Sequence, residues 1–256
     1  MLKSQRQDLI TEELTRQGFV LISSLSEIFS CSEETIRRDL KEMERDGRLV
    51  RTHGGAYVAE QYDKSYPTDL RKTLLHSEKE RLAAAALKYI QNNEFILLDS
   101  STTCLALASA LIRSKKEVTV VTNSLLICNL CNEYNSNINL ICTGGVFRHR
   151  TTSFTDYHTI DFLKNYHADA SFLSPPKMTI SHGLSDNHLS ESRVREQMIR
   201  QSDRCYLLMD HTKFGPNANI LFEGIEKADV IITDEVLPPE WEAYAAEKGI
   251  ALDYCK

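Results

Sequence analysis

Residues 32–51, Ser-Glu-Glu-Thr-Ile-Arg-Arg-Asp-Leu-Lys-Glu-Met-Glu-Arg-Asp-Gly-Arg-Leu-Val-Arg, constrain the fold more tightly than any other part of the chain. Ser32 is a strong helix N-cap, and Glu33 and Glu34 fall in the first turn, where the helix dipole favours acids. Ile36, Leu40 and Met43 recur at helical spacing and predict a face turned towards a small core. Arg37, Lys41 and Arg45 recur at i, i+4 and i+8 with Arg38 beside them, so the face away from that core is a cationic stripe. Gly47 ends the helix, because glycine adopts the left-handed terminal conformation at little cost.

The flanking segments complete a motif. Residues 6–16 read as a first helix with Leu9, Ile10 and Leu14 inward, and residues 24–29 as a short capped second helix. Ser30-Cys31 is the tight turn before the third. This is the helix-turn-helix order, in which the last helix enters the major groove of DNA. Beyond it, alternating residues from Leu49 and the Gly54-Gly55 pair predict a β-ribbon, a wing suited to lie over a phosphate backbone. The candidate DNA-contacting residues are Ser32, Thr35, Arg37, Arg38, Lys41, Arg45, Arg51 and His53, with Arg37 and Arg38 reading bases and Lys41 and Arg51 anchoring phosphates. The competing reading is a small helical bundle whose arginines are merely solvated.

Composition sets the remaining bounds. A chain of 256 residues has room for one large or two modest domains. The net charge of −6 argues against wholesale coating of nucleic acid but not against one basic face. Within residues 37–51, six basic groups oppose four acids, a small excess that predicts weak DNA binding by one copy and cooperation between two or more. No apolar run approaches the roughly 20 residues that cross a bilayer, and the amino terminus lacks a hydrophobic signal segment, so a cytoplasmic protein is expected. The seven cysteines suit a reducing compartment. Cys128 and Cys131 form a C-x-x-C without a second ligand pair, so no metal and no cofactor are expected, and two half-buried helical thiols are the simpler reading.

Residues 1–57 therefore form one domain, the polar, proline-bearing stretch 58–74 a linker, and residues 75–256 a second domain in which helices and strands alternate. Apolar runs at 95–98, 118–121, 139–142, 170–173, 206–209 and 230–232, separated by helical segments, imply an α/β fold with an open, mostly parallel sheet. Ligands bind such sheets at the carboxyl ends of the strands. The first strand is followed by Asp99-Ser100-Ser101-Thr102-Thr103, a cradle for an anion or simply a capped helix. Thr122-Asn123-Ser124 follows the second, and Gly144-Gly145 with Arg148 the third. Lys213 follows the strand ending at Met209. Lys177 and His182 either add an anion contact or are solvated loop residues. Glu191 and Arg195, four apart on a helix, either face the site or form a surface pair.

Thr35-Ile36-Arg37-Arg38-Asp39-Leu40, followed by Gly47, Arg51 and His53-Gly54-Gly55-Ala56, resembles the amino-terminal signature of the DeoR family of bacterial transcriptional regulators. The strand-end motifs at 99–103, 122–124, 144–148 and 213–215 resemble the sensor domain of the same family, so the resemblance covers nearly the whole chain. It implies a winged helix-turn-helix joined to a domain related in fold to ribose-5-phosphate isomerase. It also implies double-stranded operator DNA as partner, a phosphorylated sugar or related metabolite as effector, repression of a carbohydrate operon, and a homodimer or homotetramer. The alternative is an isomerase-like enzyme with an appended domain, in which Asp99 or Asp210 serves as a carboxylate base. A gel shift with and without sugar phosphates separates the two.

Overall fold

Local signals at the ends of the basic helix are realised atom by atom. In a computed structural model describing residues 1–17, 19–52, 54–57, 68–134 and 137–255, helix α3 (Glu33–Arg45) starts where Ser32 Oγ accepts the Thr35 amide at 3.3 Å. It stops at Gly47, with φ +71°, where the Gly47 amide donates to Glu44 and the Arg48 amide to Met43, a Schellman closure. Around it lie α1 (Lys3–Gln17), α2 (Ile22–Phe29) and a three-stranded sheet ordered β1 (Phe19–Leu21), β3 (Gly55–Tyr57), β2 (Val50–Arg51). Ile10, Leu14, Ile22, Leu25, Ile36, Leu40 and Met43 form the small core.

Three expectations are corrected here. Leu9 is exposed, because α1 presents Arg6, Ile10 and Leu14 inward at i, i+4 and i+8 and Leu9 lies off that line. The second helix begins at Ile22, directly on β1, and Leu21 at its N-cap supplies no side-chain bond; the turn is instead held by Ser26 Oγ donating to the Cys31 carbonyl at 2.6 Å. The strand β1, not expected, pairs with β3 so closely that a Cβ on Gly55 would stand 2.1 Å from the Val20 carbonyl oxygen.

The chain divides into two units, residues 1–76 and 77–256. Residues 58–67 of the expected linker, and His53, lie outside the described residues. The end of that stretch forms α4 (Thr68–Thr73), whose Leu70, with Leu74, is buried against Phe19, Leu21 and Tyr57 of the wing sheet.

In the second unit, seven strands form a wholly parallel sheet. The strands are β4 (Phe95–Leu98), β5 (Val118–Thr122), β6 (Ile138–Cys142), β9 (Ala170–Leu173), β12 (Cys205–Met209), β14 (Val230–Thr233) and β15 (Ala251–Tyr254). Their order is β15-β14-β12-β9-β4-β5-β6. Alternate residues feed two cores: Ile96, Leu98, Val120 and Leu208 pack with α5 (His76–Ala86), α6 (Thr102–Ser114) and α7 (Leu125–Glu133). Leu97, Val121, Leu207 and Met209 pack with α8 (Tyr157–Leu163), α9 (Leu189–Arg200) and α10 (Pro239–Lys248). Burial on both faces explains the continuous apolar runs. Two small antiparallel elements were not expected: a hairpin of β7 (Val146–Arg148) and β8 (Ser153–Thr155), and a sheet of β10 (Lys177–Thr179), β11 (Gly183–Asp186) and β13 (Ile220–Glu223). The first sheet strand, β4, has β5 on one side and β9 on the other, so the chain reverses its winding between β4 and β9, the switch point at whose carboxyl ends sheets of this kind offer a crevice to ligands.

Candidate functional site

On the amino-terminal unit, Arg37, Arg38, Lys41, Arg45 and Arg48 are exposed, while the opposite side of α3 is buried. Among the described residues no hydrogen bond or ion pair holds Arg38 or Lys41. Arg37 pairs with Glu33 at 2.8 Å, an exposed i, i+4 contact. Such a pair contributes about 0.3–0.5 kcal/mol, well under the ~1–3 kcal/mol of a bidentate base contact, so a guanine edge displaces it readily. Asp39 is buried and bound in a forked pair by Arg6, and Glu42 is paired with Lys3. Two of the acids counted against the stripe are thus neutralised from α1, and the face is more positive than its sequence suggests.

Arg51 is placed differently from Arg38. Its Nε donates to Glu44 at 2.7 Å and its amide to the same carboxylate at 2.9 Å, so it ties the wing to the recognition helix. These hydrogen bonds hold the Glu44 carboxyl below its ordinary range. Ile22, Arg37, Leu40, Arg51, Thr52 and Gly55 line a notch between α3 and the wing. Ser32 caps the helix and bonds Thr35 Oγ1 at 2.9 Å, which fixes both hydroxyls at its N-terminal end.

In the second unit, the crevice is built on Asp99, at the end of β4. One oxygen accepts the Ser101 amide at 3.0 Å; the other accepts the Ser174 amide at 3.1 Å and Arg195 Nε at 2.8 Å. Arg195 also binds Asp186, on β11. Burial pushes the Asp99 carboxyl up, yet Arg195 and the hydrogen bonds outweigh it and hold it below the ordinary range. Glu191 is equally buried and does not bond Arg195. It accepts Ser100 Oγ at 3.1 Å, Thr151 Oγ1 at 2.6 Å and Ser153 Oγ at 2.8 Å, with Arg148 at 3.9 Å. The surface-pair reading of Glu191 and Arg195 is therefore wrong: α9 turns both into the protein, each to a different partner.

The hydroxyl run divides its work. Ser101 Oγ caps α6 through the Cys104 amide at 3.0 Å, so at that residue the capping reading holds. Thr102 and Thr103 are buried, with Thr103 Oγ1 3.2 Å from Ser174 Oγ. Thr122 Oγ1 accepts the Ser124 amide at 3.1 Å. Asn123 donates through Nδ2 to the Phe154 carbonyl at 2.8 Å, while its buried Oδ1 has no partner among the described residues. Gly145, at φ +116°, leaves room for Thr159 Oγ1, which a Cβ would meet at 2.2 Å; that hydroxyl donates to the Gly144 carbonyl at 2.7 Å. Lys213 Nζ lies 3.4 Å from the Pro175 carbonyl and 3.8 Å from Asp210, and Lys177 Nζ donates to the Thr212 carbonyl at 2.7 Å. His182 is exposed and bonded to Ser181.

The expected residues thus gather into a carboxylate-and-hydroxyl lobe (Ser100, Arg148, Glu191) and a lysine lobe (Lys177, Lys213), joined through Asp99, Ser174 and Pro175. Sequence reading missed Thr151, Ser153, Ser174 and Asp186, although the hydroxyl run at 151–153 was visible beside Arg148. It also missed Lys79, buried on α5, which with Lys213 and Thr212 holds Asp210 below its ordinary range against the effect of burial.

A winged helix-turn-helix and a parallel α/β unit with a polar crevice at its switch point define a ligand-sensing, DNA-binding regulator. The chain belongs to the DeoR family: residues 6–62 match the DeoR-like helix-turn-helix domain and residues 75–235 the DeoR C terminal sensor domain. It is 34% identical over 240 residues to the HTH-type transcriptional regulator YulB of Bacillus subtilis, covering 93% of this chain and 92% of that one. It is 31% identical over 255 residues to the glycerol-3-phosphate regulon repressor of Escherichia coli, covering all of both. The chain also aligns with ribose 5-phosphate isomerase A of Methanocaldococcus jannaschii, at 15% identity over 55% of each chain with a TM-score of 0.40; the fold assignment rests on the strand order instead. The relatives are named as regulators rather than enzymes, and Asp99, one of the two carboxylates the enzyme reading offers as base, is bound by Arg195 and two amides. No described helix is long and apolar enough to cross a membrane.

Proposed function

We propose that this chain represses a carbohydrate-metabolism operon in the cytoplasm and releases its operator when a phosphorylated sugar or related metabolite occupies the crevice of residues 77–256. The division of labour is that of residues 1–57 and 75–256, with 58–74 as connector. Arg37, Arg38, Lys41 and Arg45 meet DNA from α3, Ser32 and Thr35 meet it from the start of that helix, and Arg51 and His53 meet it from the wing. One observation carries the effector reading: two complementary lobes share one strand-end crevice. Lys213 and Lys177 suit a phosphate, while Glu191 with its hydroxyls and the unpartnered Oδ1 of Asn123 suit sugar hydroxyls. Repression is favoured by relatives such as the glycerol-3-phosphate regulon repressor, although the L-fucose operon activator of Haemophilus influenzae, 30% identical over 246 residues, is named for the opposite sign. A homodimer or homotetramer follows from the modest charge each recognition helix presents. The test is a gel shift on the DNA upstream of the chain's own operon, with a panel of sugar phosphates. A retarded band that one metabolite abolishes is expected. A band indifferent to every sugar phosphate, from protein that a different metabolite class does displace, refutes the effector class. Run-off transcription from the same fragment reads the sign.

A further inference from the structure

The C-x-x-C motif has a partner that its sequence does not reveal. Cys142, the last residue of β6, is in register with Thr122, the last residue of β5. Helix α7 begins at Leu125, and the Cys128 amide donates to the Ser124 carbonyl at 3.1 Å, so Cys128 sits in the first turn above that strand end. There its thiol faces the Cys142 sulfur, close enough for each to act on the other's ionisation. Cys142 is exposed and Cys128 half-buried, whereas Cys131 turns into the core beside Ile127. The neighbouring Cys128 holds the Cys142 thiol below its ordinary value in spite of partial burial, and the same contact pushes Cys128 up. An exposed thiol lowered in this way, with a half-buried one against it, is the arrangement of an attacking and a resolving cysteine.

We propose that Cys142 and Cys128 form a peroxide-responsive pair that closes reversibly to a disulfide at the rim of the effector crevice. The Cys142 thiolate attacks one peroxide oxygen, the O–O bond breaks, and hydroxide leaves, giving a sulfenic acid. The Cys128 sulfur then attacks the Cys142 sulfur and releases water, its proton being taken up by the departing oxygen. In sum, two thiols and one hydrogen peroxide give a disulfide and two waters, and a dithiol reverses it. The bond would fasten the first turn of α7 to the strand end that leads into Thr143-Gly144-Gly145, beside Asn123. Its effect on effector binding rests on the function proposed above; the thiol chemistry does not.

The test uses the full chain, reduced, desalted, treated with one equivalent of hydrogen peroxide and blocked with N-ethylmaleimide before peptide mapping. The expected product is about 2 Da lighter per chain before blocking, takes up two fewer maleimides on blocking, carries the Cys142 peptide joined to the Cys128 peptide, and reverts with dithiothreitol. Cys128→Ser should accumulate a dimedone-trapped sulfenic acid at Cys142, and Cys142→Ser should slow thiol loss about tenfold. A Cys128–Cys131 bond, a bond between chains, or oxidation of Cys31 ahead of Cys142 would overturn the assignment. Thermal shifts with the active sugar phosphate, on reduced and oxidised protein, then read the consequence. Equal shifts alongside a mapped Cys128–Cys142 bond overturn the coupling to the crevice and leave the pair standing.

Discussion

Arg195 is wedged between two carboxylates from distant segments, Asp99 at the end of β4 and Asp186 on β11, with all three side chains buried. Removing one partner of a buried pair strands the other's charge in a poor solvent, at a cost of about 3–5 kcal/mol. Arg195→Met is therefore expected to lower the thermal midpoint of the second unit sharply. The pH dependence has a definite sign. Asp99 is held below the ordinary carboxylate range, so its contribution is complete above about pH 4 and fades as pH falls through its lowered pKa. In Arg195→Met the buried Asp99 carboxylate lacks its cation and protonation relieves it, so the deficit should shrink on acidification; denaturant titrations from neutral to acid pH measure it. Arg38 is the contrasting case, exposed and held by no partner among the described residues. Arg38→Ala should leave the melt unchanged and weaken operator binding by about 1–3 kcal/mol, read by gel shift at fixed salt; normal affinity would remove Arg38 from the reading surface. The sequence offered both Arg38 and Arg195 as candidates but left open whether Arg195 was buried, because spacing reports which face a residue shares and not whether that face is covered.

Among elements, the recognition helix was the most legible, since Ser32 and Gly47 specify its ends by local chemistry alone. Gly47 has a left-handed backbone and open space around its missing Cβ. Gly47→Ala should then cost only the conformational penalty, about 1–2 kcal/mol, seen as a lower melting temperature of the first unit with the recognition face intact. The parallel strands were legible for a different reason: residues covered on both sides must be apolar throughout. The strands that escaped were short, and some, such as Phe19–Leu21, are partnered far along the chain. Lys177–Thr179 alternates over only three residues, and Phe19–Leu21 acquires meaning only when Gly55 lets its neighbour approach. Pairing across such distances is dictated by the finished fold, which local periodicity does not encode.

For the molecule as a whole, the expected behaviour is coupling between metabolite and operator. A coupling of ordinary size, about 1–3 kcal/mol, gives a roughly 5–150-fold change in operator affinity. Lys213→Ala should keep metabolite-free DNA affinity and lose most of that change, measured by titrating one ligand at fixed levels of the other; an intact response moves the phosphate end of the crevice elsewhere. Sedimentation of the free protein should find a dimer or tetramer, and the salt dependence of operator binding should exceed what one recognition helix supplies. None of these long-range properties was readable from single motifs, although the strand-end residues pointed to one rim of the sheet, where the structure gathers them. Helix α4 adds a mechanical corollary. Because Leu70 and Leu74 clasp the ribbon through Phe19, Leu21 and Tyr57, a tug on that helix reaches the hairpin first and passes to the basic rod through Arg51 and Glu44. Such a protein would surrender its operator by having its outrigger levered off the backbone, with the rod following.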